Sequence, residues 1–334
     1  MQFTAELQTV HLKETFRTSK GEADSKVVCV VRFGTALGEC CPSLHYGYSA
    51  EDCCDVISPS SFEFPADPLQ LSVALDTVKT EAGLRYSLLA GLDIALHDFA
   101  SRSANQPLWE YLALPNPSGR ESSYTISVDA PGMIEKRLKS AEDFRILKLK
   151  LGGEYDQENL ELLGRQRGRT VRVDANGALD LNNIEWLVRA AHDLKLELVE
   201  EPLTDPKPSC LAELQKELNC PIIMDESIKD INDVEKYAGS IGGINIKLQK
   251  VGGIRNALAM IAAAQFAKMR IMIGCMLETS IGISASANLA GLADYLDLDS
   301  SYLLKDEPFE GVYLKDSKLV FPDRPGHGAT ERDK

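Results

Sequence analysis

ILKLKLGG, residues 146–153, is a short apolar run that ends in charge, with lysines at 148 and 150 and a glycine pair behind them. Alternation at period two puts Lys148 and Lys150 on one face of a strand and Leu147 and Leu149 on the other. The design recurs down the chain. VRVDANGAL (171–179) ends its apolar run at Asp174, LVEEPL (198–203) at Glu200, IIMDES (222–227) at Asp225 and INIKLQKVGG (244–253) at Lys247. Lys150 to Asp174 is 24 positions, Asp174 to Glu200 is 26, Glu200 to Asp225 is 25 and Asp225 to Lys247 is 22. Each step has the length of one strand–helix unit. Strands are expected at Tyr124–Val128, Ile146–Leu149, Thr170–Val173, Leu196–Val199, Pro221–Met224, Gly243–Ile246 and Arg270–Ile273, with helices such as Asn183–Leu194 and Ile254–Ala267 between them. Strands alternating with helices imply parallel pairing. Seven or eight such units in about 180 residues predict a barrel rather than an open sheet.

Upstream the texture differs. Phe3-Ala5-Leu7 and Val27–Val31 read as antiparallel strands, with a polar loop from Thr18 to Lys26 between them. Helical patterns run from Asp67 to Thr80 and from Gly83 to Ser101, the second largely buried. Pro115, Pro117, Ser118 and Gly119 then make a loop that separates an α+β domain from the repeating units.

Composition narrows the class. The 334 residues are 44% hydrophobic and 26% charged, as in an ordinary globular protein. A formal net charge of −14 argues against nucleic-acid or anionic-membrane partners, which require basic patches. No apolar run approaches the roughly 20 residues of a membrane helix, and the charged, alternating Met1–Val10 does not read as a signal peptide. The eight cysteines contain the vicinal pairs Cys40–Cys41 and Cys53–Cys54 but no CxxC, so free thiols in a reducing cytosol are expected. His11, His45, His97, His192 and His327 show no metal-ligand spacing.

In a parallel barrel the C-terminal ends of all strands share one rim, where sites of this fold are built. Lys150, Asp174, Glu200, Asp225 and Lys247 therefore converge on one mouth in the order base, acid, acid, acid, base. Three neighbouring carboxylates repel one another, and a hard divalent cation relieves that repulsion. Two lysines flanking the cation can serve opposite faces of a carbon acid. Cationic neighbours or desolvation lower a lysine pKa, and Lys148 is placed to do this to Lys150. The chemistry that suits such a set is removal of a proton α to a carboxylate, whose enediolate the cation stabilises, with return of a proton from the other face.

The strings KLKLGG, VDANGAL, VEEPL, MDES and INIKLQKVGG resemble the muconate-lactonizing-enzyme subgroup of the enolase superfamily over essentially the whole chain. The resemblance implies an α/β fold, a modified TIM barrel of (β/α)7β type with an N-terminal α+β capping domain. On that division residues 1–118 form the capping domain, 119–310 the barrel, and 311–334 a C-terminal segment packing back on the cap. It further implies one Mg²⁺ per subunit on Asp174, Glu200 and Asp225, with acid/base lysines at Lys150 and Lys247. Glu201, Glu226 and Asn176 would support the metal ligands. Lys250 is expected in the loop after the Lys247 strand. The subgroup contains many oligomers, so a homo-oligomer is compatible with the resemblance.

IGCMLETSIGISAS (273–286), followed by Asp297-Leu298-Asp299-Ser300, is similar to the dipeptide epimerases within that subgroup. There the paired aspartates bind the α-ammonium group of the substrate, here through Asp297 and Asp299. Thr125, Cys275, Met276 and Glu278 are further candidates for substrate contact, Glu278 alternatively as a buttress for Lys247. The implied reaction is epimerisation at the second residue of L-Ala-L-Xaa dipeptides, with L-Ala-D/L-Glu as one candidate. The resemblance places side-chain reading in segments 16–26 and 42–55. Arg17 and Lys20 suit an acidic side chain, Glu22, Asp24, Glu51, Asp52 and Asp55 a basic one, and Tyr46 and Tyr48 an apolar one, so the sequence leaves this choice open. o-Succinylbenzoate synthesis and N-acylamino-acid racemisation are the alternatives on the same scaffold. A silent binding barrel is a third, disfavoured by the complete charged set.

Overall fold

The computed structural model describes residues 2–43, 47–57, 76 and 85–333. The N-terminal domain is built on a three-stranded antiparallel sheet, β1 (Phe3–Thr18), β2 (Gly21–Phe33) and β3 (Ala36–Cys40), in the order β1-β2-β3. The polar loop expected over Thr18–Lys26 is instead the end of a long hairpin that turns only at Ser19-Lys20. Cross-strand polar ties keep these hydrophilic strands paired: Arg17 Nε to Glu22 Oε2 at 2.9 Å and Thr15 Oγ1 to Asp24 Oδ1 at 2.5 Å. The register shifts between His11 and Phe16, and the displaced segment docks on the barrel through the Leu12–Leu304 bridge.

Helix Tyr86–Ser103 lies under this sheet, buried along almost its whole length. It approaches β3 through a glycine contact, since a Cβ on Gly38 would stand 2.0 Å from Gly91 O. The helix expected over Asp67–Thr80 lies outside the described residues, apart from Asp76.

The larger unit is an eight-stranded parallel sheet ordered β11-β10-β9-β8-β7-β6-β5-β4. Its strands are β4 (Tyr124–Ile126), β5 (Ile146–Lys150), β6 (Thr170–Asp174), β7 (Val199–Glu200), β8 (Ile222–Met224), β9 (Gly243–Ile246), β10 (Arg270–Gly274) and β11 (Tyr295–Asp297). Helices such as Glu185–Leu194 and Ile254–Phe266 connect them. Outward residues, among them Leu147, Leu149, Val173, Ile244 and Ile246, join the large core under the helices. Inward residues Leu198, Ile223 and Met272 form a small apolar floor. Alternation thus sends hydrophobes out to the helices and charge in to the axis. Among the described residues no ladder joins β4 to β11, but Ser123 N donates to Leu296 O at 3.2 Å across that seam.

The chain then returns to the first sheet. Strands β12 (Phe309–Glu310) and β15 (Thr330–Glu331) pair with one another, as do β13 (Tyr313–Lys315) and β14 (Lys318–Val320). Arg102 donates to Ala329 O at 2.7 Å, and His327 N to Asp98 Oδ1 at 2.9 Å. Phe309 and Ala329 pack with Val28, Val30 and Leu37. Among the described residues no helix is long and apolar enough to cross a membrane.

Candidate active site

Five successive strand ends bring Lys150, Asp174, Glu200, Asp225 and Lys247 to one rim, all of them buried. Adjacent strands hold them in register, Lys150 beside Asp174 and Asp174 beside Glu200. The ammonium groups sit among the carboxylates. Lys150 Nζ is 2.5 Å from Asp174 Oδ2, and Lys247 Nζ is 2.6 Å from Asp225 Oδ2. Lys148 Nζ lies 3.1 Å from Asp174 Oδ2, 2.7 Å from Glu200 Oε2 and 2.6 Å from Asp297 Oδ2. The three acids thus stand side by side on the rim, with Lys150 and Lys247 at its two ends and Lys148 reaching in between Asp174 and Glu200.

Each of the three acids is also held on one oxygen by a separate donor. Asn176 N donates to Asp174 Oδ1 at 2.9 Å, Asn245 Nδ2 to Glu200 Oε1 at 2.8 Å, and Lys250 Nζ to Asp225 Oδ1 at 2.6 Å. The other oxygen of each is the one the remaining lysines face. Lys250 is therefore not a loop residue. It sits on the one-turn helix Leu248–Val251, fully buried, and also donates to Asp225 O at 2.5 Å and Asn245 O at 2.8 Å. Three buried acceptors in reach of one ammonium account for its inward position. Asn245 was not foreseen either, although its place two residues before Lys247 marks it as inward-facing.

Burial disfavours charge on Lys148, but Asp297, Glu200 and Asp174 outweigh that and raise its pKa well above 10.5, making it a fixed cation. Lys247 is likewise raised, burial being overcome by Asp225 and Glu200. The expected lowering of a lysine pKa is thus reversed at Lys247, because unneutralised carboxylates face it. Burial would raise Asp174 and Asp225, but the paired lysines hold both below the usual carboxylate range. Glu200 is pushed up to about 7 by burial and by the charges of Asp174 and Asp225.

Among the described residues no three His, Cys, Asp or Glu side chains form a ready cation cage, because the lysines stand between the carboxylates. The donor chemistry nevertheless fits a small hard dication. Three buried carboxylates sit on adjacent strand ends, and each turns one oxygen toward the ammonium groups, where a dication could take their place.

The other nominated residues fall into two groups. Asp297 and Asp299 close the barrel beside Thr125: Ser123 Oγ donates to Asp297 Oδ1 at 2.6 Å, Thr125 Oγ1 reaches the same oxygen at 3.4 Å, and Thr125 N donates to Asp299 Oδ2 at 2.6 Å. Burial and the charge of Asp297 raise Asp299 to about 7, whereas Lys148 overcomes burial to lower Asp297. Cys275 Sγ contacts Asp297 O at 3.2 Å, and Met276 is half-buried beside the cap sheet. Glu278 accepts from Met276 N at 2.8 Å and is approached by Gln249 Nε2 at 3.4 Å. Outside the rim, Asn176 Nδ2 donates to Glu226 Oε1 at 3.0 Å, and Glu201 accepts from Asp225 N at 2.7 Å and from the Ser227 hydroxyl.

The hairpin tip lies over this mouth. Lys20 Nζ is 2.5 Å from Glu226 Oε1, Val128 N donates to Arg17 O at 3.0 Å, and a Cβ on Gly152 would meet Ser19 Cβ at 2.4 Å. Arg17 is engaged by Glu22 and Asp129. In the second segment Tyr48 OH accepts Ser87 N–H at 2.9 Å, Glu51, Asp52 and Asp55 lie on helix Ala50–Ile57, and Tyr46 falls outside the described residues. Cys29, Cys40, Cys41, Cys53, Cys210, Cys220 and Cys275 carry free thiols.

A sequence profile described as Enolase C-terminal domain-like matches residues 133–334. The chain is 36% identical to an L-Ala-D/L-amino acid epimerase of Pedosphaera parvula over 88% of this chain and 86% of that one. It is 34% identical to a hydrophobic dipeptide epimerase of Roseobacter litoralis over 97% of both. Its fold matches a crystal structure of a dipeptide epimerase from Methylococcus capsulatus complexed with Mg and the dipeptide L-Arg-D-Lys, with a TM-score of 0.90, 28% identity and 98% coverage of each chain. Fold, rim and relatives together define an isomerase of the enolase superfamily. Within it the chain belongs to the dipeptide epimerase family.

Proposed function

We propose that this protein epimerises dipeptides of the type L-Ala-L-Xaa at the α-carbon of the C-terminal residue, with L-Ala-L-Glu the first substrate to test. The observation that carries the reading is the placement of Lys150 and Lys247 at the two ends of a three-carboxylate rim, with Asp297 ending the last barrel strand and Asp299 just beyond it.

Asp174, Glu200 and Asp225 would hold one Mg²⁺ per subunit. That ion would supply positive charge to the substrate carboxylate and stabilise its enolic form. With the three acids engaged, Lys150 would be released from its ion pair with Asp174 and Lys247 from its ion pair with Asp225. One then removes the α-proton through its neutral Nζ, and the other delivers a proton to the opposite face from its ammonium form. Lys148 stays charged and keeps Asp174, Glu200 and Asp297 oriented. Asp297 and Asp299 receive the α-ammonium group, two carboxylates sharing one cationic donor. Hairpin residues 16–22 cover the mouth and limit access of water.

Chiral chromatography of an L-Ala-L-Xaa panel incubated with enzyme and Mg²⁺ tests the proposal. L-Ala-D-Xaa should appear, stop with a chelator, and fail with N-acetylated dipeptides, which lack the ammonium group. Faster turnover of N-acylamino acids than of any dipeptide would contradict it and favour N-acylamino-acid racemisation.

A further inference from the structure

Gln249 lies two residues beyond Lys247 on helix Leu248–Val251, with its side chain buried. Its Oε1 accepts from Cys41 N at 2.8 Å and from Ser87 Oγ at 2.6 Å. Its Nε2 donates to Glu39 O at 2.9 Å and reaches Glu278 Oε2 at 3.4 Å. One amide has two donor hydrogens and two acceptor lone pairs, so these four partners use its full capacity. Three of them belong to the N-terminal domain and the fourth follows β10 of the barrel.

Both ends of this connection bear on the reaction. Cys41 immediately precedes the 42–55 segment to which substrate reading is ascribed, and Lys26 Nζ fixes the first residue of that segment through Pro42 O at 2.5 Å. At the other end, Lys247 is the N-cap of the helix that carries Gln249, its carbonyl accepting from Lys250 N at 2.9 Å and Val251 N at 3.1 Å. Glu278, which Gln249 approaches, lies within the electrostatic reach of Lys247. Lys150 stands across the rim on β5, paired with Asp174 rather than with any group Gln249 touches.

We infer that Gln249 is a positioning residue for one of the two bases: it fixes the turn bearing Lys247 against the N-terminal domain, coupling substrate seating beneath that domain to proton transfer on the Lys247 face. The inference rests on the two-base reading above. An amide that served only to glue the domains together would affect both faces alike.

The test is α-proton exchange in D₂O with Mg²⁺ and a turned-over dipeptide, followed separately from the L,L and L,D diastereomers. Lys247→Ala identifies the diastereomer whose exchange depends on Lys247. Gln249→Met should slow exchange of that diastereomer by roughly 10- to 100-fold and leave the other within about threefold, as expected when one group is displaced from its attack geometry. Because Met leaves several buried groups without partners, Ser87→Ala provides a second variant that removes a single bond to the amide. It should bias the exchange ratio in the same direction by a smaller factor. Equal slowing of both diastereomers in Gln249→Met overturns the inference. So does an unchanged ratio in Ser87→Ala, should Gln249→Met fail to fold. If the unmodified enzyme exchanges neither diastereomer of any dipeptide, the epimerase reading itself fails and takes this inference with it.

Discussion

Thr125 N donates to Asp299 Oδ2 at 2.6 Å, fastening the first barrel strand to the segment after the last across a seam that no ladder closes. Ser123 Oγ to Asp297 Oδ1 and Leu298 N to Ser122 Oγ, at 2.6 and 2.7 Å, complete the fastening. The two aspartates proposed to receive the substrate ammonium group therefore also hold the barrel shut. An ammonium placed between them would favour the ionised form of Asp299, which burial and Asp297 now oppose.

Removing the Asp299 carboxylate should cost stability without any substrate present. Asp299→Ala leaves the buried Thr125 N–H without its acceptor, an expected loss of about 1–3 kcal/mol. A urea titration reads it as a lowered midpoint at unchanged slope. An unshifted midpoint would mean that the seam closes by other contacts.

Asp297→Asn keeps an acceptor for Ser123 but removes the charge offered to the ammonium group. Its KM for a dipeptide should rise by roughly tenfold or more, since hydrogen bonds to charged groups are worth about 1.5–3 kcal/mol. An unchanged KM would remove Asp297 from substrate binding.

Lys250 should matter to folding more than its place in a polar, lysine-rich string suggests. Lys250→Met strands Asp225 Oδ1 and two carbonyls, and breaking a buried ion pair on one side costs about 3–5 kcal/mol. Guanidinium unfolding would show it, and a loss below about 1 kcal/mol would contradict the buried, three-acceptor position.

Glu39 makes stability depend on pH. Burial first, then the charge of Glu278, lifts its carboxyl to about 8 from 4.5, against the hydrogen bonds from Thr279, while Glu307 adds repulsion. Between those values the folded protein holds a proton that the unfolded chain releases, so stability falls as pH rises, by about 1.4 kcal/mol per pH unit from this group. Thermal unfolding of the metal-free protein between pH 5 and 8 should slope downward less steeply in Glu39→Gln, which mimics the protonated acid. Equal slopes would show that Glu39 does not carry the effect.

The rim was legible because its spacing and alternation are local: each charged residue follows its own apolar run, and Gly243–Ile246 appears as a strand residue for residue. What escaped depends on distant partners. The strands continue through Arg17 and Glu22 because each supplies the other's counter-charge, which propensity along one strand does not register. Gln249 sits in a string already read for Lys247, yet its partners are residues 39, 41, 87 and 278. The seam role of Asp299 needs Thr125, 174 positions away. Lys250 is turned inward by the one-turn helix after β9, where a loop was expected.

The two-base claim is tested most directly by proton NMR in D₂O of Lys150→Ala and Lys247→Ala, each given the L,L and L,D diastereomers with Mg²⁺. Neither variant should interconvert the diastereomers. Each should still exchange the α-proton of one of them, and the two variants should retain opposite ones. If either variant epimerises at the rate of the unmodified enzyme, or both retain exchange of the same diastereomer, Lys150 and Lys247 do not serve opposite faces of the substrate.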